Sequence, residues 1–451
     1  MNGPRRRRRA PHSLTHDLTA AAIEVTIETL GARGDGLASH QGQTVYVPFS
    51  LPGERLRVRP VGRRGDGLVA EISTVIAGAP NRAAPACRHF ADAEAPCGGC
   101  TIQHVPIDES AAFKRRLVTD AMARRGLDPA TVATTVAIPP GRRRRATFSA
   151  VPMRSGMAVG FHRRDEDRIV DIAECPALHA DLVALIEPLR RLLTGMPAAA
   201  KGGKVDAMRS ETGFDLVFVF DREPGLVERK RLGTFAEDAA IARLSWQQHE
   251  RELPEPIVVR REPVVTFAGI SVVPPPGAFL QASSEGEAAI VAALREAFHG
   301  RPGIRRIADL FAGCGTLSFP LADYGRVRAV EENAAMTAAI ARAAGQAGLG
   351  GKVETETRDL FRRPLAGKEL GAFDAIVFDP PHTGAAEQAR AIAETGRPSL
   401  VVAVSCNPTT FARDARTLVD GGYRLTTVTP IDQFPWSTHV ELVGVFSKDA
   451  A

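Results

Sequence analysis

Between Ile23 and Ile76 apolar and polar positions alternate in short runs separated by glycine-rich turns: "IEVTIETLGARGDGLASHQGQTVYVPFSLPGERLRVRPVGRRGDGLVAEISTVI". Period-two patterning with turn signals this close together predicts a small β-barrel of short strands. Residues 111 to 126 take helical spacing, and from about 140 to 275 strands and helices mix without a repeat, the pattern of an α+β module. The proline-rich stretch "VVPPPGAF" at 272–279 marks a junction. Beyond it the pattern becomes regular. Strand candidates at Ile307–Phe311, Val327–Glu331, Val353–Asp359, Asp374–Phe378 and Leu400–Ser405 alternate with alanine-rich helical stretches such as "NAAMTAAIARAAGQAG". Two further strands are expected at Tyr423–Thr429 and His439–Phe446. Alternating β and α segments predict a parallel sheet with crossover helices, closed by an antiparallel pair. Such sheets bind ligands at the carboxyl ends of their strands.

The chain has 451 residues, too many for one ordinary domain. The pattern divides it into a basic tail over residues 1–20, expected to be disordered, a barrel over 21–77, a central module over 78–275 and an α/β domain over 276–451. No run of about 18 apolar residues suggests a membrane span, and the start "MNGPRRRRRAPHSLTHD" lacks the apolar core of a signal peptide. A cytoplasmic protein is expected. The formal net charge of +5 is matched by Arg5–Arg9 alone, so the remainder is close to neutral and any nucleic-acid partner must be read from local patches. The cluster Arg142–Arg145 in "GRRRRATFSA", with Arg163 and Arg164, supplies candidate phosphate contacts; a solvated face is the alternative.

The chemistry concentrates where the expected strands end. In "ADLFAGCGTLSFPLA" Gly313 and Gly315 follow a strand and precede a helix, where small residues let a backbone approach a nucleoside. Glu331, at the end of the next strand, is placed to accept hydrogen bonds from ribose hydroxyls. The third glycine of a dinucleotide loop is missing, and D-x-F-x-G-x-G favours S-adenosylmethionine over NAD. "FDAIVFDPPHTG" fixes Asp379 ahead of two prolines that stiffen the strand end. In "VVAVSCNPTTF" a cysteine, Cys406, stands at the lip of a strand rather than inside it, the position for a thiol that meets a substrate. "IDQFPWSTHVELVGVF" carries His439 and Glu441 on an otherwise apolar strand, which is costly unless the carboxylate is paired or used. Cys314, inside the glycine loop, reads as structural.

Cys87, Cys97 and Cys100 in "CRHFADAEAPCGGC", with Cys175 in "DIAECPALH", form the remaining cysteine group. Disulfides are not expected in a reducing compartment, and four thiolates suit either tetrahedral zinc or an iron–sulfur cluster. The C-x3-C-x2-C pattern of radical enzymes is absent, which disfavours radical methylation.

Taken in order, "GDGLA", "VYVPFSLPGE", "PNRAAPAC", "CGGC", "ECPAL", "FLQASSEGE", "DLFAGCG", "VEENA", "DPPHTG", "SCNP" and "HVE" resemble the RNA uracil-5 methyltransferase family across nearly the whole chain. The resemblance implies a Rossmann-like class I methyltransferase domain, an N-terminal OB-like TRAM barrel that binds RNA, and a central α+β iron–sulfur domain. It also implies S-adenosylmethionine as cofactor, with Gln281, Phe311, Gly313, Glu331, Asp359 and Asp379 at its pocket. Cys406 would be the nucleophile that adds to carbon 6 of uracil, and Glu441 the base that removes the carbon-5 proton. Cys87, Cys97, Cys100 and Cys175 would hold a [4Fe–4S] cluster, a feature of the branch that acts on 23S ribosomal RNA. A monomer with no membrane partner is expected.

Three positions depart from the family pattern. The first cysteine gap has nine residues rather than five, Ser283 stands where the family has Asn, and His382 where it has Arg. Two rival readings stand beside this one: a transfer RNA uracil-5 methyltransferase that acquired a TRAM domain, and an RNA chaperone with a vestigial catalytic domain. Intact Cys406 and Glu441 argue against the second.

Overall fold

The computed structural model describes residues 21–91, 96–164, 166–249 and 252–448; the basic tail lies outside them. The chain divides into two compact units. One runs to Ala91 and includes Cys100–Ser110 and Trp436–Thr438; the other takes Ala111–Pro435 and His439 onward, with Asp92–Gly99.

The first unit carries a six-stranded sheet in the order Ile23–Thr26, Arg55–Arg64, Gly67–Ala77, Gln43–Val47, Gly36–His40, Thr29–Leu30. Its two edges are consecutive pieces of one segment, since residues 23–26 pair with 55–58 and residues 29–30 pair with 36–37. The sheet therefore closes on itself, as the turn-rich alternation predicts. Along Arg55–Arg64 the arginines at 55, 57 and 59 face out while Leu56 and Val58 are buried. The inward set is Val25, Ile27, Ala38, Val45, Val47, Leu56, Val58 and Ala70. Glu54 is buried beside this core, accepting the Leu51 N–H at 2.8 Å and both Nε and Nη2 of Arg82 at 2.8 and 2.7 Å.

The second unit holds two large sheets. The seven-stranded one is ordered Ile169–Asp171, Gly156–His162, Arg145–Met153, Gly203–Ser210, Gly213–Phe220, Ile241–Gln247, Glu255–Val259. Its one parallel pair, Gly213–Phe220 with Ile241–Gln247, is joined by the crossover helix Leu226–Asp238. Phe148, Phe218 and Trp246 from the strands pack with Leu189 and Leu232 from the helices.

The eight-stranded sheet is ordered Val353–Thr357, Arg326–Glu331, Arg306–Leu310, Ala375–Phe378, Leu400–Ser405, Glu441–Ser447, Arg424–Asp432, Val136–Ala137. The first five are parallel, and Glu441–Ser447 lies antiparallel between two neighbours. Ala375–Phe378 and Leu400–Ser405 are buried at every position, as strands covered on both faces must be. Ile290, Leu294, Ala339 and Ile340 from helices Ser284–Phe298 and Ala334–Gln346 cover one face. Ala389, Ile392, Phe411 and Ala415 from Ala386–Thr395 and Pro408–Asp420 cover the other. Strand order reverses at Arg306–Leu310, which creates a switch point at its carboxyl end.

Several elements differ from expectation. The helix begins at Ile107 rather than 111 and ends at Ala123, since Asp108 and Glu109 suit a helix's first turn and Gly126 turns left-handed at φ 66°. The core of the eight-stranded sheet also runs back across the proline-rich junction to take in Val265, Phe267 and Val272 of a short hairpin. No helix among the described residues is long and apolar enough to cross a membrane.

Candidate active site

At the switch point the strand Arg306–Leu310 runs into Phe311, whose φ of 61° puts a bulky residue in left-handed backbone. That conformation is costly and marks a site the surrounding structure holds in place. The turn continues through Gly313 and Gly315 at φ 56° and 92°. A Cβ on Gly315 would strike the Phe319 ring at 2.8 Å, so its role is close packing; one on Gly313 would meet nothing within 4 Å. Open space above Gly313 is room for a ligand.

Glu331 ends the adjacent strand, and its two carboxylate oxygens accept the N–H groups of Gly313 at 3.0 Å and Asn333 at 2.9 Å. Each oxygen keeps a lone pair for a hydroxyl. Asp359 lies beyond its strand, which ends at Thr357, because the side chain turns to accept the N–H groups of Phe361 at 2.9 Å and Arg362 at 3.1 Å. This fixes Phe361, whose ring packs on Phe311 with centroids 5.3 Å apart.

Gln281 is buried between two partners. Its Nε2 donates to Asp379 Oδ2 at 3.2 Å, and its Oε1 accepts from Gln433 Nε2 at 2.7 Å. The loop beneath it is held by arginines. Arg144 donates Nε to the Gln281 carbonyl at 3.1 Å and Nη2 to Glu287 at 2.6 Å, and Arg145 donates to the Leu280 carbonyl at 2.7 Å. Burial and the flanking Arg143 push the Arg145 guanidinium down to about 10. Two of the six arginines expected to meet phosphate, Arg144 and Arg145, thus hold the loop. Arg142 is exposed and pairs with Glu285 at 3.4 Å. Ser283, in the place of the family's Asn, caps the helix Ser284–Phe298 by accepting the Gly286 N–H at 3.0 Å, which a hydroxyl does as well as an amide.

Cys406 occupies the gap between the strand Leu400–Ser405 and the helix Pro408–Asp420. Asn407 caps that helix through Thr409 N–H at 3.0 Å, and its Nδ2 donates to the His382 carbonyl at 3.1 Å. The proline-rich turn and the cysteine turn are thereby tied together through the backbone of His382, while its side chain is exposed. Burial first, then the charges of Glu441 and Asp379, push the Cys406 thiol up to about 11. Glu441, 4% exposed at the start of its strand, is pushed up to about 8 by burial and by Asp379, against a hydrogen bond from Gln433. Burial lifts Asp379 to about 7. The Cys406 thiol and the Asp379 and Glu441 carboxyls therefore lie within electrostatic reach of one another, with protons held on all three in mildly acidic solution. His439 is lowered by burial, then by Lys114 and Arg143, and its ring meets Phe434 edge-on at 5.8 Å.

Two buried residues were given no role by the sequence reading, although Asp309 opens its D-x-F-x-G-x-G motif. Asp309 is 1% exposed; Ser318 donates to its Oδ2 at 2.5 Å, and its Oδ1 has no partner. Burial, opposed by Ser318 and aided by Asp379 and Glu331, lifts it to about 7. An acid inside an apolar strand was the available signal, the same one that marks Glu441. Gln433 gave no such signal. Cys314 is buried in the core and lifted to about 12, the behaviour of a structural thiol.

The cysteine group has a different outcome. Cys87 and Cys100 belong to the first unit, Cys97 and Cys175 to the second. The Cys87 N–H donates to Gln103 Oε1 at 3.1 Å, and Cys97 and Cys175 pack partly buried against the core of the seven-stranded sheet. Among the described residues no group of three or more His, Cys, Asp or Glu side chains is placed to hold a metal ion. Residues 92–95, within the long first cysteine gap, lie outside the described residues.

The tRNA (Uracil-5-)-methyltransferase family model matches residues 305–449, and the TRAM domain model matches residues 21–59. An RNA methyltransferase of Brucella suis is 41% identical over 425 residues, covering 94% of this chain and 98% of its own. The 23S rRNA (uracil(1939)-C(5))-methyltransferase RlmD of Aeromonas salmonicida is 31% identical over 437 residues, covering 94% and 96%. The Pyrococcus abyssi tRNA (uracil-54, C5)-methyltransferase, crystallised with S-adenosyl-L-homocysteine, has a TM-score of 0.71 over 94% of this chain and 99% of its own at 22% identity, which is a likeness of fold. A class I methyltransferase sheet, a TRAM barrel and full-length relatives above 30% identity agree: the chain belongs to the RNA uracil-5 methyltransferase family.

Proposed function

We propose that this enzyme methylates carbon 5 of a uracil in 23S ribosomal RNA, with Cys406 as nucleophile and Glu441 as base. The observation that carries the mechanism is the electrostatic coupling of Cys406, Glu441 and Asp379, with Cys406 at the carboxyl end of its strand. In this reading residues 21–77 form the RNA-binding barrel, 78–275 the central module and 276–451 the catalytic part of a monomeric cytoplasmic enzyme. The ribosomal substrate is favoured by the likeness to the 23S rRNA enzyme over 94% of the chain. The transfer RNA alternative draws on the shared fold with the archaeal enzyme.

The cradle fits S-adenosylmethionine in three respects: open space over Gly313, an anchored acid at Glu331, and the Phe311–Phe361 pair for an adenine. When bound, it would supply the methyl group that carbon 5 receives, the bond pair staying on its sulfur so that it leaves as the neutral thioether S-adenosylhomocysteine. Cys406 adds as thiolate to carbon 6 of the flipped uracil, which makes carbon 5 nucleophilic. The thiol gives up its proton to solvent as it adds, and burial with the nearby carboxyls keeps it protonated until then. After methylation Glu441 takes the carbon-5 proton, the carbon 6–sulfur bond breaks, and the electron pair returns to Cys406. The four cysteines of the central region are proposed as ligands of a [4Fe–4S] cluster from the number and softness of their donors alone, and no step runs through it.

Mapping 5-methyluridine in ribosomal and transfer RNA of a deletion strain tests the substrate. Loss of one ribosomal position is expected. Loss only in transfer RNA would transfer the activity to the rival substrate.

A further inference from the structure

Gln433 stands between the two halves of the site, and its side chain is fixed from every side. It is 2% exposed. Its Nε2 donates to Gln281 Oε1 at 2.7 Å, and it hydrogen-bonds Glu441. Its Oε1 accepts the Ser283 N–H at 3.4 Å, in keeping with an amide whose Nε2 faces Gln281. Gly286, in the first turn of the helix Ser284–Phe298, makes the space: a Cβ there would lie 2.5 Å from Gln433 Oε1 and 2.7 Å from its Cβ. The backbone is pinned as well. Lys114, fully buried, pairs with Asp432 on one side of Gln433 and donates to the Phe434 carbonyl at 2.8 Å on the other.

A buried primary amide has two N–H groups to satisfy, and an unsatisfied one costs about 1–3 kcal/mol. With one directed at Gln281 Oε1, the Gln281 amide is forced to present its own Nε2 to Asp379. Asp379, Gln281, Gln433 and Glu441 thus form one hydrogen-bonded series from the cofactor side of the pocket to the base.

We propose that Gln433 is a positioning residue that orients the base Glu441 and the cofactor-side Gln281 together, so that one side chain sets both proton removal and cofactor affinity. The proposal rests on the assignment of Cys406 and Glu441 made above. The charged and titratable groups facing Glu441 are Asp379 and Cys406; Lys114 with Asp432 lies behind Gln433, and Arg143 and Lys114 face His439.

The test uses the full-length enzyme, labelled S-adenosylmethionine and total RNA from the deletion strain. Gln433→Met keeps the volume and removes both donors. Two changes are expected together: about a tenfold weaker Kd for S-adenosylmethionine, the cost of roughly one hydrogen bond, and a rising limb of kcat displaced to higher pH, because the donor that favours ionised Glu441 is gone. Gly286→Ala crowds Gln433 without removing any hydrogen-bonding group, and the same two changes in smaller measure are expected; it decides the matter if Gln433→Met fails to fold. A folded variant with wild-type cofactor affinity and an unmoved pH limb overturns the proposal. Cys406→Ala is assayed alongside. If it methylates normally, the underlying reading has failed; if it is inactive while Gln433→Met behaves as wild type, only the role of Gln433 is lost.

Discussion

Arg144 and Glu287 form an ion pair of 2.6 Å, each less than 10% exposed, between the start of a central strand and the helix that follows the Gln281 loop. The same guanidinium donates to the Gln281 carbonyl, so one arginine fixes the loop that carries a cofactor-side residue. Removing one partner of a buried pair costs roughly 3–5 kcal/mol. Arg144→Met is accordingly expected to lower unfolding stability by about that amount and to weaken S-adenosylmethionine binding, leaving the salt dependence of RNA binding unchanged. Denaturant titration with RNA binding at several salt concentrations checks both parts. A flattened salt slope without loss of stability would return Arg144 to the RNA surface.

That pair also shows where the sequence stops being informative. Four consecutive arginines look the same whether they face solvent or a carbonyl, and the partners of Arg144 lie 137 and 143 residues away. Lys114 and Asp432 are 318 residues apart, so no local pattern announced that pair or the fixed Gln433 beside it. The central strands Ala375–Phe378 and Leu400–Ser405 were legible because strands buried on both faces are continuously apolar, and the proline and cysteine turns after them break that run visibly. Boundaries failed where side chains override pattern. Asp359 leaves its strand to cap a turn, and the final strand starts at Glu441 rather than His439. The short strand Val136–Ala137, paired only through Ile431 and Asp432, had too little pattern to be seen.

Glu54 and Arg82 supply a prediction for the barrel unit. Burial raises the Glu54 carboxyl, but hydrogen bonds from Arg82 and the backbone outweigh it and hold it below its ordinary value of 4.5. A lowered carboxylate contributes stability above its unfolded pKa and loses it as pH falls through the folded one. Arg82→Met should reduce unfolding stability near neutral pH by roughly 1–3 kcal/mol, since it removes the side-chain donors of a buried carboxylate, and should narrow the difference from wild type in acid. Melting curves across acidic and neutral pH check this; an equal loss at every pH would refute the linkage.

The catalytic unit has the opposite sign. Asp309 and Asp379 are lifted from 3.8 to about 7 and Glu441 from 4.5 to about 8. The folded state keeps protons that the unfolded state has shed, so stability from these groups is complete below about pH 4 and declines as pH rises to about 8. For the buried Asp309 and Glu441 the decline is on the order of several kcal/mol. Asp309→Asn and Glu441→Gln should each flatten the curve of melting temperature against pH, and parallel curves would contradict the account.

The cysteine group is settled by composition rather than geometry. Protein purified without oxygen is expected to be brown and to carry iron and acid-labile sulfide near four each per chain, the content of one cubane. Cys175→Ser should lose both. Stoichiometric zinc with no iron in the same preparation would replace the cluster with a zinc site.

The central claim is the division of labour between Cys406 and Glu441, and trapping the covalent intermediate tests it most directly. Glu441→Gln, incubated with S-adenosylmethionine and RNA from the deletion strain, should accumulate a protein–RNA species that survives denaturing electrophoresis, because the adduct forms and cannot resolve. Cys406→Ala should give neither adduct nor product while still binding the cofactor, and the double variant should match Cys406→Ala, since the later step has no substrate without the earlier one. A Cys406→Ala enzyme that methylates at the wild-type rate would contradict the account.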